Sequence, residues 1–534
     1  MTMKIVDFFP TKGTFKPGEI ANFQICINNP SRVAINARFS FYHLTEQITQ
    51  INHSFFSKEE EEIFLVDWKV PMDVPRGYAV QVQIIDDNGR VLDKASTAFD
   101  VLTDWTEFPR YGFMTDFRLN RDDIEEAVKI LTRFHINGLQ FYDWQYRHDQ
   151  LVAPTTDYID PLGRQLSLAT VKKCIKTAHE YGMKAMPYLA VYAASLEFWR
   201  EHQDWALYDA NQNPMTFSDF LGLMDPTMGK PWILKLRKEC SQLLEELPFD
   251  GFHIDQYGDP KEGFNSQGDP ANIPDAFVGF IRTLKEDHPK ASITFNAVGN
   301  WPIEALAHSA QDFVYIEVWK PKTNYLDLPD MILNARVLSG NKPVVMAVYI
   351  PAERITNIRL TDALIFSSGG SRIELGEKKG YLTDPYFPKF QLLSPELARA
   401  LRNIYDFAVR YQELIGPSAG HELSCSVDLP QDVWATVRSK GKWMTVSMVN
   451  LSGIETPRWD QPHQTPTRLT DFRVRVQSPG KILRVWYGSP DWGNLDLQPI
   501  SWNEDNGFVV VSVPSLDYWS LITFELQQEE GNKR

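Results

Sequence analysis

Between residues 111 and 410 the chain alternates eight times between a short apolar run of strand length and a longer stretch of helical texture. The runs are YGFMTDF (111–117), INGLQFYDW (136–144), MKAMPYLAVYA (183–193) and FDGFHIDQYG (249–258), then ASITFNAVG (291–299), DFVYIEVW (312–319), KPVVMAVYI (342–350) and SRIELGE (371–377). The stretches between them include DDIEEAVKILTRFH, LATVKKCIKTAHEYG, IPDAFVGFIRTLKEDH and LTDALIFSSG, and SPELARALRNIYDFAVRYQELIG follows the eighth run. Alternation on this scale predicts βα units around a parallel sheet, and eight of them predict a closed (β/α)8 TIM barrel. The alternative is a doubly wound open sheet, but no GxGxxG follows the first run and no P-loop occurs.

The flanks read differently. IANFQICINN, ARFSFYHL, EIFLVDWKV and YAVQVQIID are separated by turn signals such as PGE, NNPSR, VPRG and DDNGR, which predicts a β-sandwich. The EEEE run at 59–62 is expected to be a solvated loop. Past residue 418, DVWATVRSKGKWMTVSMVN, KILRVWYGSP, NGFVVVSVPSL and WSLITFEL return to strand texture. The expected organisation is multidomain: a sandwich over 1–105, a barrel over 106–417, and a C-terminal antiparallel β-domain of Greek-key sandwich type over 418–534.

Composition narrows the partners. With 54 basic and 69 acidic residues, net charge −15, the surface repels phosphate backbones, so no nucleic-acid partner is expected. No apolar run approaches the ~20 residues that span a bilayer, so no membrane partner is expected. Cys26, Cys174, Cys240 and Cys425 lie far apart without a CxxC pair, which excludes a zinc ribbon or redox motif. The opening MTMKIVDFFPTKGTF has no apolar core of the signal-peptide kind, so a cytoplasmic location is expected, or secretion if a leader was trimmed.

In barrels the chemistry sits past the C-terminal strand ends. That rule reduces 69 acids to Asp116 after the first run, Asp143 after the second, Asp255 and Asp259 after the fourth, Glu317 after the sixth, and Glu374 and Glu377 after the eighth. Converging carboxylates, with no cysteine nucleophile, Walker lysine or histidine pair at metal spacing, point to glycoside hydrolysis. In GFHIDQYGD, period-2 alternation puts His253, Asp255 and Tyr257 on one face; Asp255 is a catalytic candidate or a structural cap. In VYIEVWK, Tyr315 and Trp319 flank Glu317, and partial desolvation would keep it protonated as a general acid; the alternative is an interior ion pair with Lys320 or Arg372. FYDWQYRHD offers Tyr142, Asp143, Trp144, Arg147 and His148 as a sugar-binding wall. A lone His near one Asp orients a neighbour or hydrogen-bonds substrate more often than it ligates a metal, so His253 is read in the first way, with metal ligation as the alternative. For Glu374 and Glu377, a structural ion pair and a substrate contact stand equal.

NGLQFYDWQYRH, DGFHIDQYGD, YIEVW and IELGE followed by YFP (386–388), in this order, resemble glycoside hydrolase family 66, the dextranases and cycloisomaltooligosaccharide glucanotransferases. The resemblance covers most of the chain and implies an N-terminal Ig-like sandwich, a barrel and a C-terminal β-domain. It implies retaining hydrolysis of α-1,6-glucosidic links in dextran or isomaltooligosaccharides, with Asp255 as nucleophile and Glu317 as acid/base. The strand-end reading gives an expected substrate-binding set of Asp116, Tyr142, Asp143, Trp144, His253, Gln256, Tyr257, Trp319 and Glu374, and the resemblance implies neither metal nor organic cofactor. Cyclising members carry a carbohydrate-binding insertion in the barrel, and no loop here is long enough for one, which favours a hydrolase. The alternatives are a cyclising glucanotransferase and a non-catalytic glucan-binding barrel. Oligomeric state is left open. The mouth is expected to be shaped chiefly by residues 194–231 and 257–273.

Overall fold

The computed structural model describes residues 3–528. All eight central runs are strands: β1 (Tyr111–Met114), β2 (Gly138–Phe141), β3 (Lys184–Ala190), β4 (Gly251–Asp255), β5 (Ser292–Val298), β6 (Val314–Glu317), β7 (Val344–Ala347) and β8 (Gly370–Ile373). Each pairs in parallel with its sequence neighbour. β8 leaves the ladder at Glu374 and resumes at Leu375–Gly376, where Gly376 pairs in parallel with Phe113 of β1. One stretch of chain therefore borders both β7 and β1, and the eleven-stranded sheet curls back on itself.

The strands are apolar on both faces because both are covered. β7, Val-Val-Met-Ala, is buried at every position, as a parallel strand under helices requires. The helix Ile273–Asp287 covers the sheet with Ile273, Phe277, Phe280, Ile281 and Leu284, spaced three and four apart. Pro at its start and the Asn272 side chain, which accepts from the Asp275 N–H, fix where it begins. The helices Leu168–Glu180, Pro231–Glu246, Asp327–Ser339, Ile355–Ser367 and Pro395–Arg410 follow the same logic. Helical texture over 122–135 breaks into a short α-helix, Ile124–Lys129, and a 3₁₀ turn, Ile130–Phe134.

The N-terminal part packs a three-stranded sheet (Lys4–Pro10, Ile20–Asn28, Glu61–Lys69) on a four-stranded one (Ala34–His43, Glu46–Phe56, Arg76–Ile85, Val91–Val101) around Phe8, Phe23, Phe39, Phe41 and Phe99. The EEEE run is only half loop, since Glu61 and Glu62 pair with Asn28 and Ile27. The C-terminal part joins a six- and a four-stranded sheet around Met444, Val446, Val474, Val511 and Phe524.

Both flanks are fixed to the centre by buried polar contacts. Arg110 meets Asp100 at 2.8 Å, with both side chains fully buried. Asp406 accepts from the Thr97 hydroxyl (3.0 Å) and the Ala98 N–H (2.7 Å) and contacts His135 at 2.8 Å. On the other side the central apolar core continues through Phe366 and Phe407 onto Trp519. The four cysteines are free thiols.

Candidate active site

A cavity of about 360 Å³ opens at the C-terminal ends of the central strands. Asp255, the last residue of β4, and Glu317, the last of β6, both line it. Between them, Asn296 of β5 donates from one atom, Nδ2, to Asp255 Oδ1 and to Glu317 Oε2, each at 2.8 Å. Those two oxygens therefore stand no further apart than twice that distance. Glu317 Oε1 accepts from the Tyr349 hydroxyl at 2.7 Å.

Local sequence explains the close approach. Gly251 opens β4 opposite Ser292 of β5, and a Cβ at that position would lie 1.8 Å from the Ser292 carbonyl oxygen. Past Asp255 the chain turns at Gly258, with φ +79°, a region that glycine enters without strain. The Gln256 side chain fastens this turn: Oε1 accepts from the Gly258 N–H at 2.6 Å, and Nε2 donates to the Asn296 and Trp301 carbonyls at 3.3 Å.

Burial raises the pKa of both acids. For Asp255, desolvation is the largest cause and the Glu317 charge adds to it, while hydrogen bonds from Asn296, Tyr188 and the Gln256 N–H oppose it. For Glu317, desolvation again leads, opposed by Asn296, Tyr349 and Trp319. Two desolvated carboxyls this close resist ionising together, so the pair tends to hold one proton. That is the state an acid and a nucleophile need.

The rest of the lining is aromatic and polar. Tyr142 stacks on Phe387 at 4.5 Å between centroids, and Tyr188 lies 5.3 Å from Tyr142. Tyr257 stacks on Phe217 at 4.1 Å, with Phe220 beside it. Phe217 and Phe220 belong to a hairpin in which Thr216 and Phe217 pair with Gly222 and Leu221, within the mouth segment expected from sequence. Asp143, in the left-handed backbone region at φ 53°, is pushed up to about 7 by burial; Arg164, 3.6 Å away, opposes the rise and Asp160 adds to it. His148 is pushed down to about 4 by burial and stays neutral.

Of the expected binding residues, Tyr142, Asp143, Gln256, Tyr257 and Trp319 line the cavity, although Gln256 spends its amide on the turn. Four do not, and substrate contact is withdrawn for them. Trp144 is fully buried, packs on Phe249, and donates its indole N–H to the Tyr188 carbonyl at 3.2 Å. His253 lies two residues down the strand from Asp255, buried against Tyr111 and Tyr315, and burial pushes it down to about 3. Glu374 is buried in an ion pair with Arg372 (3.1 Å) and accepts from the Tyr405 hydroxyl at 3.0 Å. Asp116 sits in an ion cluster with Arg118 and Lys378. Glu377 is likewise structural, accepting the Thr115 and Asp116 N–H groups at 2.6 and 2.9 Å beside Arg121. Glu317 makes no ion pair with Lys320 or Arg372, because Arg372 is spent on Asp362 and Glu374.

Sequence reasoning missed Asn296, Tyr188 and Tyr349. The first was legible: Thr294, Asn296 and Val298 share one face of β5, and a lone amide two residues from a strand end between two acid-bearing strands is a site signal.

Two cycloisomaltooligosaccharide glucanotransferases of Niallia circulans are each 27% identical to this chain. One alignment covers 64% of this chain and 38% of that protein, the other 96% and 72%. A dextranase of Streptococcus salivarius is 22% identical over 84% of this chain and 67% of its own length. Among solved structures, a Paenibacillus sp. cycloisomaltooligosaccharide glucanotransferase complexed with cycloisomaltoheptaose superposes with a TM-score of 0.89, covering 98% of this chain and all of that one at 21% identity, which shows a common fold. The family model "Glycosyl hydrolase family 66" matches residues 10–523, and with that span this chain belongs to glycosyl hydrolase family 66 as one of its enzymes.

Proposed function

We propose that this enzyme is a retaining hydrolase of α-1,6-glucosidic links in dextran or isomaltooligosaccharides, working in a closed (β/α)8 barrel over 106–417 between β-domains over 1–105 and 418–534. The observation that carries the reading is the single Asn296 donor shared by Asp255 and Glu317. It keeps Asp255 Oδ1 and Glu317 Oε2 within twice 2.8 Å of each other, which supports the roughly 5–5.5 Å carboxyl spacing of retaining enzymes over the roughly 6.5–9.5 Å of inverting ones. The relatives named dextranase and cycloisomaltooligosaccharide glucanotransferase supply the linkage.

Asp255 attacks the anomeric carbon while Glu317 passes its proton to the departing glycosidic oxygen, and the bond to that oxygen breaks. Glu317, now ionised, takes a proton from water, whose oxygen displaces Asp255 from the anomeric carbon. Tyr142, Tyr188, Tyr257 and Trp319 provide faces and edges for sugar rings, and Asp143 accepts from hydroxyls.

A second reading, transfer to an acceptor sugar instead of water, is favoured by the glucanotransferase relatives. Against ring formation, one of those alignments runs over 696 positions, more than the 534 residues of this chain, so the relative inserts residues between matched segments that this chain lacks.

Incubation with a panel of α-glucans tests both readings. Wild type should release linear short sugars from α-1,6 substrates; rings or lengthened products identify transfer. Asp255→Asn and Glu317→Gln should both be nearly inactive, and an activated leaving group should restore the first step in Glu317→Gln alone. Full activity in either variant on natural substrate sinks the assignment.

A further inference from the structure

We propose that Asn296 is a positioning residue whose one amide group orients both carboxyls and fixes which oxygen of each is free for chemistry. The inference rests on the reading of Asp255 and Glu317 as the reacting pair. An amide –NH₂ carries two hydrogens and no lone pair to offer, so it faces only acceptors. Here both hydrogens are spent, one on Asp255 Oδ1 and one on Glu317 Oε2. Asn296 itself is 4% exposed, and its Oδ1 is buried without a hydrogen-bond partner. Among the described residues, the two acids are thus the only hydrogen-bond partners of the side-chain amide, and the amide in turn holds them.

Two consequences follow from donor–acceptor logic alone. On Glu317 the Nδ2 hydrogens, which can only donate, disfavour a proton on Oε2, so the donatable proton is assigned to Oε1, where the Tyr349 hydroxyl can turn from donor to acceptor. On Asp255 the amide engages Oδ1, so Oδ2 is the oxygen it leaves free and is assigned as the attacking atom. The amide also favours the ionised form of both acids at once, so removing it displaces both titrations in the same direction, upward. The other titratable groups around the pair are the buried Tyr188 and Tyr315 and the half-buried Tyr142, Tyr257 and Tyr349, all phenols held protonated, His253 beneath, held neutral, and Asp143 across the cavity. Asp143 is unlinked to Asn296 and titrates independently of it.

The test is the pH profile of kcat/KM on an isomaltooligosaccharide for Asn296→Ala and for Asn296→Asp, which keeps the side-chain shape and offers at most one donor. In both, the acid and alkaline limbs should move up together by about one pH unit, with kcat/KM at the wild-type optimum down roughly ten- to hundredfold. Limbs that stay where wild type has them, or movement of one limb alone, overturn the bridging role whatever happens to the rate. Failure of the underlying reading looks different: Asp255→Asn or Glu317→Gln would then keep wild-type turnover.

Discussion

The Tyr349 hydroxyl stands 2.7 Å from Oε1 of Glu317, the oxygen that Asn296 leaves free. This contact stabilises the ionised acid and so restrains the rise that burial imposes on it. Tyr349→Phe should let the Glu317 pKa climb further. The alkaline limb of kcat/KM should move up by roughly half to one pH unit, with a loss of about tenfold or less at the optimum. A downward shift of that limb in a pH-rate profile would contradict the assignment.

Asp143 makes the opposite kind of prediction, one about stability. Its pKa is raised from 3.8 to about 7, chiefly by burial. A carboxyl raised by folding contributes its full stability below the unfolded value, and that contribution is lost as pH rises through the folded one. Asp143→Asn, which also suits the left-handed backbone at φ 53°, should therefore raise Tm by about 2–4 °C at pH 8, with the gain vanishing near pH 4. Thermal scans at the two pH values read this directly, and KM should rise because one of the two acceptor oxygens becomes an amide donor.

Glu374→Gln separates a structural ion pair from a substrate contact. Glu374, Arg372 and Asp362 form a fully buried cluster, and breaking such a pair costs about 3–5 kcal/mol. Denaturant melts should show a loss of that order, eased where Asp362 still partners Arg372. KM at a temperature where the variant is folded should stay within about twofold of wild type.

Gly251→Ala should be destabilising by roughly 2–4 kcal/mol, because the new methyl group would overlap the Ser292 carbonyl. Since the clash pries β4 from β5, the damage reaches the Asp255–Asn296 contact as well. A lower unfolding midpoint with a lower kcat is the expected signature, and an unchanged midpoint would mean the strands are not so tightly apposed.

The central strands were legible because buried parallel strands are near-continuous apolar runs. Their ends were not: FDGFHIDQYG spans 249–258, yet the ladder holds only Gly251–Asp255, because the later residues leave it to face the cavity. Strands such as Glu46–Phe56 and Val91–Val101 escaped notice, the first because half its residues are polar and exposed, the second because Asp93, Lys94, Ser96, Thr97 and Asp100 break up its apolar residues. For the site, period-2 alternation correctly put His253 with Asp255 and Tyr315 with Glu317. It says nothing of depth, however. Side chains pointing into a curled sheet stack in layers, and one step of two residues is one layer down, where the His253 and Tyr315 rings meet at 4.7 Å between centroids. Trp144 failed for the reverse reason, as a residue past the ladder whose ring turns into the core.

That lower layer has a kinetic meaning. Tyr111 and Tyr315 hold their phenolic protons far above neutrality, and His253 refuses a second proton until about pH 3. Among the described residues, these three rings beneath the two acids neither lend nor absorb a hydrogen ion near neutrality. The floor is an insulator, so the proton that Glu317 gives up in the first step returns only from the water of the second, which enters through the same opening that admits the sugar. An occupied mouth therefore seals in whatever ionisation state the pair had on arrival.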